Sequence, residues 1–226
     1  MTTKDKEIVL FTWSGGKDSA LAFYNVRISK RYEIIALLTT VTDEYKRTSM
    51  HGVREVLLEK QAASIGIPLD IMSISKDCSN EEYESRMHKK LLYYKKKGVT
   101  AVVYGDIFLD ELRSNRENNL IKLDMKGLFP LWKTNTFKVA ATFIDLGFKS
   151  IVTCIDSEKL DKKFVGCEYN KEFINELPDE VDICGENGEF HTFVYDGPIF
   201  KEKIQCIKGE VVLRDNRYFF CDLIPG

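Results

Sequence analysis

The feature that most limits what this chain can fold into is a six-residue turn, Ser14-Gly15-Gly16-Lys17-Asp18-Ser19, set directly between an apolar run and a helical stretch. The run, residues 8–13, is continuous rather than alternating, which marks a strand covered on both faces and therefore a parallel sheet. In open parallel sheets ligands bind beyond the carboxyl ends of the strands, where helix N-termini offer unpaired N–H groups and positive dipole. Gly15 and Gly16 let the backbone turn tightly and bring its amides close to an anion. Ser14 and Ser19 add hydroxyls, and Lys17 adds a compact positive charge. Asp18 on its own would repel phosphate. It makes sense if Mg2+ bridges its carboxylate to phosphate oxygens. The spacing is neither that of the Walker loop nor that of the dinucleotide G-x-G-x-x-G turn.

The rest of the chain repeats the strand-then-helix rhythm. Further apolar runs at 34–39, 69–74, 101–104 and 151–155 read as strands, and helical stretches at 17–30, 52–65, 80–97 and 135–147 lie between them. Gly66, Gly98 and Gly147 stand just past three of those stretches, where left-handed helix stops are commonest. The rhythm predicts an α/β fold, a doubly wound, mostly parallel Rossmann-like sheet. After about residue 156 it breaks. A short helical piece at 171–177 and β-like runs at 189–195, 203–208, 210–214 and 218–223, punctuated by Asp196-Gly197-Pro198, Lys208-Gly209 and Asp215-Asn216, predict a smaller C-terminal α+β domain. The expected division is 1–132 for the loop-bearing domain and 133–226 for the second.

Composition removes several function classes. With 226 residues and 44% hydrophobic side chains, the chain can build a full core without a disulfide or metal staple. Thirty-three basic against 35 acidic residues leave a net charge of −2, which argues against dedicated nucleic-acid binding. The lysines at 89–90 and 95–97 read as the solvated face of a helix. The apolar run at 8–13 is too short for a signal-peptide core or a membrane span, so no membrane association is expected. Cysteines 78, 154, 167, 184, 206 and 221 form no C-x-x-C pair and read as reduced thiols, which predicts a cytoplasmic protein.

The 14–19 turn resembles the PP-loop of the N-type ATP pyrophosphatases, a family with an adenine nucleotide alpha hydrolase-like domain. The resemblance implies ATP as substrate, cleavage between its α- and β-phosphates, and adenylation of a carbonyl oxygen that a nucleophile then displaces from AMP. Met50-His51-Gly52, Gly105-Asp106-Ile107, Pro130-Leu131-Trp132 and Cys184-Gly185-Glu186-Asn187-Gly188-Glu189-Phe190-His191-Thr192-Phe193 follow in the order found in the diphthine–ammonia ligase family. That likeness implies ATP- and ammonium-dependent amidation of diphthine, a modified histidine carboxylate on elongation factor 2, which would then be the protein partner. The family's E-G-G-E-x-E signature is matched at Glu186, Gly188 and Glu189. It departs at Asn187 and His191, and Asp106 stands where many members carry a small residue. These departures resemble a paralogue branch, in which reaction type transfers more directly than substrate. A related PP-loop enzyme with another small-molecule or RNA acceptor, and an ATP-binding sensor without turnover, are the alternative readings. A homo-oligomer is compatible with all three.

Roles for single residues follow from chemistry and likeness together. Lys17, Ser14, Ser19 and the Gly15-Gly16 amides would hold the β- and γ-phosphates, and Asp18 and Asp106 would hold Mg2+. His51, just before a helix, would donate to phosphate or a developing oxyanion. Gly105 and Asp106 close a strand beside the nucleotide, Thr39 and Thr40 end another beside adenine through backbone groups, and Arg113 and Arg116 would screen polyphosphate. Trp132 reads as core. The glycines around Glu186 predict a tight turn that pushes its carboxylate outward. If a strand begins at Glu189, period two puts Glu189, His191 and Phe193 on one face, about 6.6 Å apart per pair. A carboxylate and an imidazole there would accept a proton from attacking ammonium or orient the acceptor.

Overall fold

The structure is a computed structural model that describes residues 6–48 and 51–226; Met50 of the His51 motif lies outside them. Its first part runs β1 (Glu7–Thr12), α1 (Lys17–Ser29), β2 (Tyr32–Thr42), β3 (Arg47–Thr48), α2 (Glu55–Ile65), β4 (Leu69–Ile74), α3 (Asn80–Lys96), β5 (Ala101–Val103), α4 (Asp110–Ile121) and β6 (Lys126–Leu128). β4, β2, β1, β5 and β6 pair in parallel, and the two-residue β3 pairs antiparallel with the end of β2. The continuous apolar runs supply both faces. Val9, Phe11, Leu37, Ala101 and Val103 pack with Phe23 of α1 and Leu57 and Leu58 of α2. Their neighbours Leu10, Leu38 and Val102 point the other way, onto Leu91 and Tyr94 of α3 and Leu120 of α4. The sheet is doubly wound, as the rhythm predicts. The chain changes face between β1 and β5, so the carboxyl ends of these two strands form the crevice in which such sheets bind ligands.

The second part runs α5 (Thr136–Asp145), β7 (Lys149–Asp156), a 3-10 turn (Lys162–Phe164), α6 (Lys171–Glu176), β8 (Phe190–Asp196), β9 (Cys206–Arg214) and β10 (Tyr218–Pro225). Its four strands form an antiparallel sheet in the order β8-β7-β10-β9. Two expectations change here. The run at 151–155 is buried on both faces, as its continuity implied, but it belongs to this second sheet and not to the parallel one. Burial on both faces specifies cover, not strand direction. Lys208-Gly209 does not break the chain either: β9 runs through it, with a register shift against β10. The turn at Asp215 and Asn216, with φ of 51° and 52°, is the mirror-type turn that suits a hairpin.

The two parts share one core and are tied at the surface. Asp222 of β10 accepts hydrogen bonds from Arg47 (2.7 Å) and from Arg54 (2.6 and 3.0 Å), the residues that flank the His51 turn. Among the described residues no helix is long and apolar enough to cross a membrane.

Candidate active site

The 14–19 loop lies at the β1–β5 crevice, held from three sides. Gly15 has φ +78°, and a Cβ there would stand 2.6 Å from Leu58 Cδ2 and 2.8 Å from Gln61 Oε1, so only glycine fits. Gln61 is fully buried on α2. Its Oε1 accepts from Trp13 Nε1, and its Nε2 donates to the carbonyls of Gly15 and Val194. Within the loop, Ser14 Oγ accepts from Gly16 N and donates to Ser19 Oγ, which donates to Gly16 O. On the remaining side Gly105 passes so close that an added Cβ would stand 3.0 Å from Ser19 N. Gln61 is a contributor the sequence reading missed; the signal was a polar residue four places after Leu57 and three after Leu58, on the buried face of α2.

Lys17 is buried and serves the loop's own architecture. Its Nζ donates to Asp18 Oδ2 at 2.7 Å and to the carbonyl of Cys184, and it stands 5.6 Å from the Tyr169 ring centroid and 5.3 Å from that of Phe190. Its backbone N–H donates to Thr192 Oγ1 of β8 at 3.0 Å. Burial pulls the ammonium's pKa down, but Asp18, Cys184 and Glu186 together outweigh it, and the result lies above the ordinary lysine value. The structure therefore uses Lys17 to tie the loop to the second part of the chain. Thr192 was not foreseen, since nothing in the sequence says which strand covers the loop.

Three carboxyls gather beside the loop, all with raised pKa. Burial raises Asp18 more than Lys17 lowers it. Burial also raises Asp106, against the pull of Arg116 and with a further push from Asp18. Glu186 is pushed up to about 7, first by burial and then by Asp18, although hydrogen bonds from Ile107 N (2.7 Å) and Phe108 N (3.3 Å) oppose the shift. The tight turn expected around Glu186 is held by Asp182, whose Oδ1 accepts from Cys184 N and Glu186 N. Asp18 Oδ1 and Asp106 Oδ2 are buried without a hydrogen-bond partner; Arg116 Nε lies 3.2 Å from the latter but is not aligned to donate to it. Two orphaned carboxylate oxygens in an under-neutralised crevice suit Mg2+, which is commonly bound by one or two carboxylates with substrate phosphates completing the shell. Among the described residues no group of three or more His, Cys, Asp or Glu is gathered to hold a metal unaided.

His51 and His191 come together, with ring centroids 4.6 Å apart. His51 Nδ1 lies 3.2 Å from the carbonyl of Thr192, which makes that nitrogen the protonated one and leaves Nε2 an acceptor. Burial lowers its pKa to about 4, and burial with His51 and Lys17 nearby takes His191 well below the ordinary value. Both imidazoles are neutral at pH 7, and His191 Nε2 is buried without a partner. In this state His51 Nε2 is a hydrogen-bond acceptor, whereas the sequence suggested a donor. Nor does Glu189 pair with His191. β8 begins at Phe190, and the Glu189 carboxylate turns back to accept from Asp182 N and Asn187 Nδ2.

The remaining candidates lie further out. β2 continues to Thr42, so Thr39 and Thr40 sit inside the β2–β4 ladder, opposite Ile71 and Met72, and do not end the strand. Arg113 stacks 4.7 Å from Phe129 and 4.6 Å from Trp132, and pairs with Glu117 at 2.8 Å. Arg116 stacks 4.2 Å from Tyr104 beside Asp106. Trp132 is half-buried against Arg113 and not in the core.

Comparison with known proteins returns one family. A family model described as the diphthamide synthase N-terminal domain matches residues 6–126, and one described as the diphthamide synthase C-terminal domain matches residues 135–222. The chain is 28% identical over 225 residues to a diphthine–ammonia ligase of Mus musculus, covering 88% of this chain and 83% of that relative. A Homo sapiens diphthine–ammonia ligase is 27% identical over 224 residues, with the same coverage of 88% and 83%. One from Schizosaccharomyces pombe is 27% identical across 90% of this chain, which spans 37% of that longer protein.

Proposed function

The chain belongs to the diphthamide synthase family, and we propose that it is an ATP-dependent carbon–nitrogen ligase that adenylates the carboxylate of diphthine on elongation factor 2, amidates it with ammonia, and releases AMP and pyrophosphate. One observation carries this reading. Glu186, from the acidic signature in the second part of the chain, is bonded to the 107–108 backbone and sits within electrostatic reach of Asp18 in the phosphate loop. Acceptor-facing and nucleotide-facing groups thus meet at one crevice, as a reaction between two bound substrates requires.

The division of labour follows. Residues 1–132 hold ATP, and 133–226 present the acceptor. The 14–19 loop takes the β- and γ-phosphates on its amides and the Ser14 and Ser19 hydroxyls, with Lys17 as the nearest cation. Asp18 and Asp106 would hold Mg2+, which when bound would offset the charge on the leaving pyrophosphate. The acceptor carboxylate oxygen attacks the α-phosphorus, and the bond to the β-phosphate oxygen breaks. Ammonia then attacks the acyl carbon, and AMP leaves with the bonding pair. Ammonium must lose protons on the way. Glu186, titrating near 7, is matched to receive one at neutral pH, whereas His51, at about 4, is the weaker base. Glu189 shapes the turn that holds Glu186, and His191 lines the same crevice. A cytosolic setting goes with six cysteines that are all free thiols.

Glu186→Gln tests the assignment, because it keeps the shape and the acceptor for Ile107 N while removing the charge. Calorimetry should show near-normal ATP affinity, and acceptor-dependent pyrophosphate release should fall by about 10²-fold or more. Loss of ATP binding would instead put Glu186 in the nucleotide site.

A further inference from the structure

Two guanidiniums beside the crevice are built into an aromatic wall. Tyr104 and Phe129 stack with centroids 5.3 Å apart, and Phe129 meets Trp132 edge-on at 5.9 Å. Arg113 lies against Phe129 and Trp132, and Arg116 against Tyr104. The wall stands at the carboxyl ends of β5 and β6 and is continuous with the proposed site. Lys133 N donates to Ile107 O, in the segment whose N–H groups hold Glu186, and Arg116 is paired with Asp106. Rings on a guanidinium face fix its plane and leave its N–H edge for a planar anion. Arg113 uses Nε and Nη2 on a single oxygen of Glu117, and Arg116 brings Nε within 3.2 Å of Asp106 Oδ2 without donating to it; their other nitrogens have no partner among the described residues, and both side chains are about 30% exposed. Among the described residues neither arginine has a hydrogen bond or ion pair with residues 14–19.

We propose that Arg113 and Arg116, oriented by Phe129, Trp132 and Tyr104, form the acceptor's carboxylate subsite and set the enzyme's preference for a carboxylate acceptor. This rests on the ligase reading and deepens it. A carboxylate approaching the α-phosphate of ATP is an anion approaching an anion. Two fixed cations from the loop-bearing part of the chain, meeting the carboxylate that 133–226 presents, lower that repulsion and can bind it in bidentate fashion. Asp106 then borders both the subsite and the metal position, because its Oδ2 lies 3.2 Å from Arg116 Nε and is one of the two oxygens that would hold Mg2+.

The test uses the full chain and two probes. The first is elongation factor 2 bearing diphthine, titrated in the presence of α,β-methylene-ATP. The second is glutarate, a bare dicarboxylate, read by Trp132 fluorescence and assigned by loss of the signal in Trp132→Phe. In Arg113→Gln and Arg116→Gln the affinity for the factor should fall tenfold or more and the glutarate response should disappear, while affinity for the ATP analogue stays within twofold of wild type. A fall in analogue affinity with the factor unaffected would assign the arginines to the triphosphate and overturn the proposal. Unchanged affinity for both would leave them as surface ion pairs, which also overturns it. A wild-type chain that answers glutarate through both arginines but ignores the factor would uphold the subsite and refute diphthine as the acceptor.

Discussion

At Glu186 a single proton would link the proposed catalysis to stability. The carboxyl titrates near 7 in the folded chain against an ordinary value of 4.5, so between these limits the folded state holds a proton the unfolded state has released. Stability from this group is therefore fully present below 4.5 and declines as pH rises toward 7. Glu186→Gln should be more stable than wild type at pH 8, by up to roughly 3 kcal/mol, with the difference vanishing in acid, as denaturant melts at several pH values would show. The same substitution should remove the limb near pH 7 over which pyrophosphate release rises with pH. Lys17 makes an opposite case. Lys17→Ala strips Asp18 of its cation and the Cys184 carbonyl of its donor, so it should weaken ATP binding at least tenfold and also destabilise the apo chain by roughly 3 kcal/mol. A melt unchanged from wild type would mean that the lysine serves nucleotide alone.

Among the elements, the contacts that fix the loop are long in sequence, and there the sequence was least legible. β1, β2 and β5 could be read because buried runs leave a continuous apolar trace, and β4 as a short apolar run interrupted by Asp70 and Ser73. β6 is three residues, Lys126-Gly127-Leu128, too short to leave one, and α4 buries a single residue, Leu120. β7 was legible as a buried strand but not in its direction, because pairing partners are not written in a strand's own residues. The approach of Gly105 to Ser19 is of this hidden kind. Gly105→Ala would press a methyl against the first turn of α1, and calorimetry should find ATP affinity at least tenfold lower. The β10 clamp gives a second prediction. Arg54 and Arg47 hold Asp222 well below the usual carboxylate range, so its stabilisation is present above 3.8 and is lost as pH falls below that value. Asp222→Asn should cost about 1.5–3 kcal/mol at pH 7, and the gap should close in acid.

Across the whole molecule, the site is an encounter between two sheets. The phosphate loop was readable from six adjacent residues, because an anion cradle is local chemistry. Glu186 could be singled out as part of an acidic turn, yet its seat on the 107–108 amides joins residues 78 and 79 positions apart and exists only once the second part folds onto the first. The expected pairing of Glu189 with His191 fails locally, because Glu189 lies before β8 and its carboxylate accepts from Asp182 N and Asn187 Nδ2, while His191 meets His51, 140 positions away. In the proposed reaction ATP and acceptor meet in this crevice, and the central claim is that it joins them through an acyl-adenylate. The most direct measurement supplies ATP, 15N-ammonium and diphthine-bearing elongation factor 2, then identifies and counts the products. The account predicts 15N in the new amide with AMP and pyrophosphate each equal to it in amount; ADP and orthophosphate in that ratio, or ATP cleavage indifferent to the factor, would contradict it.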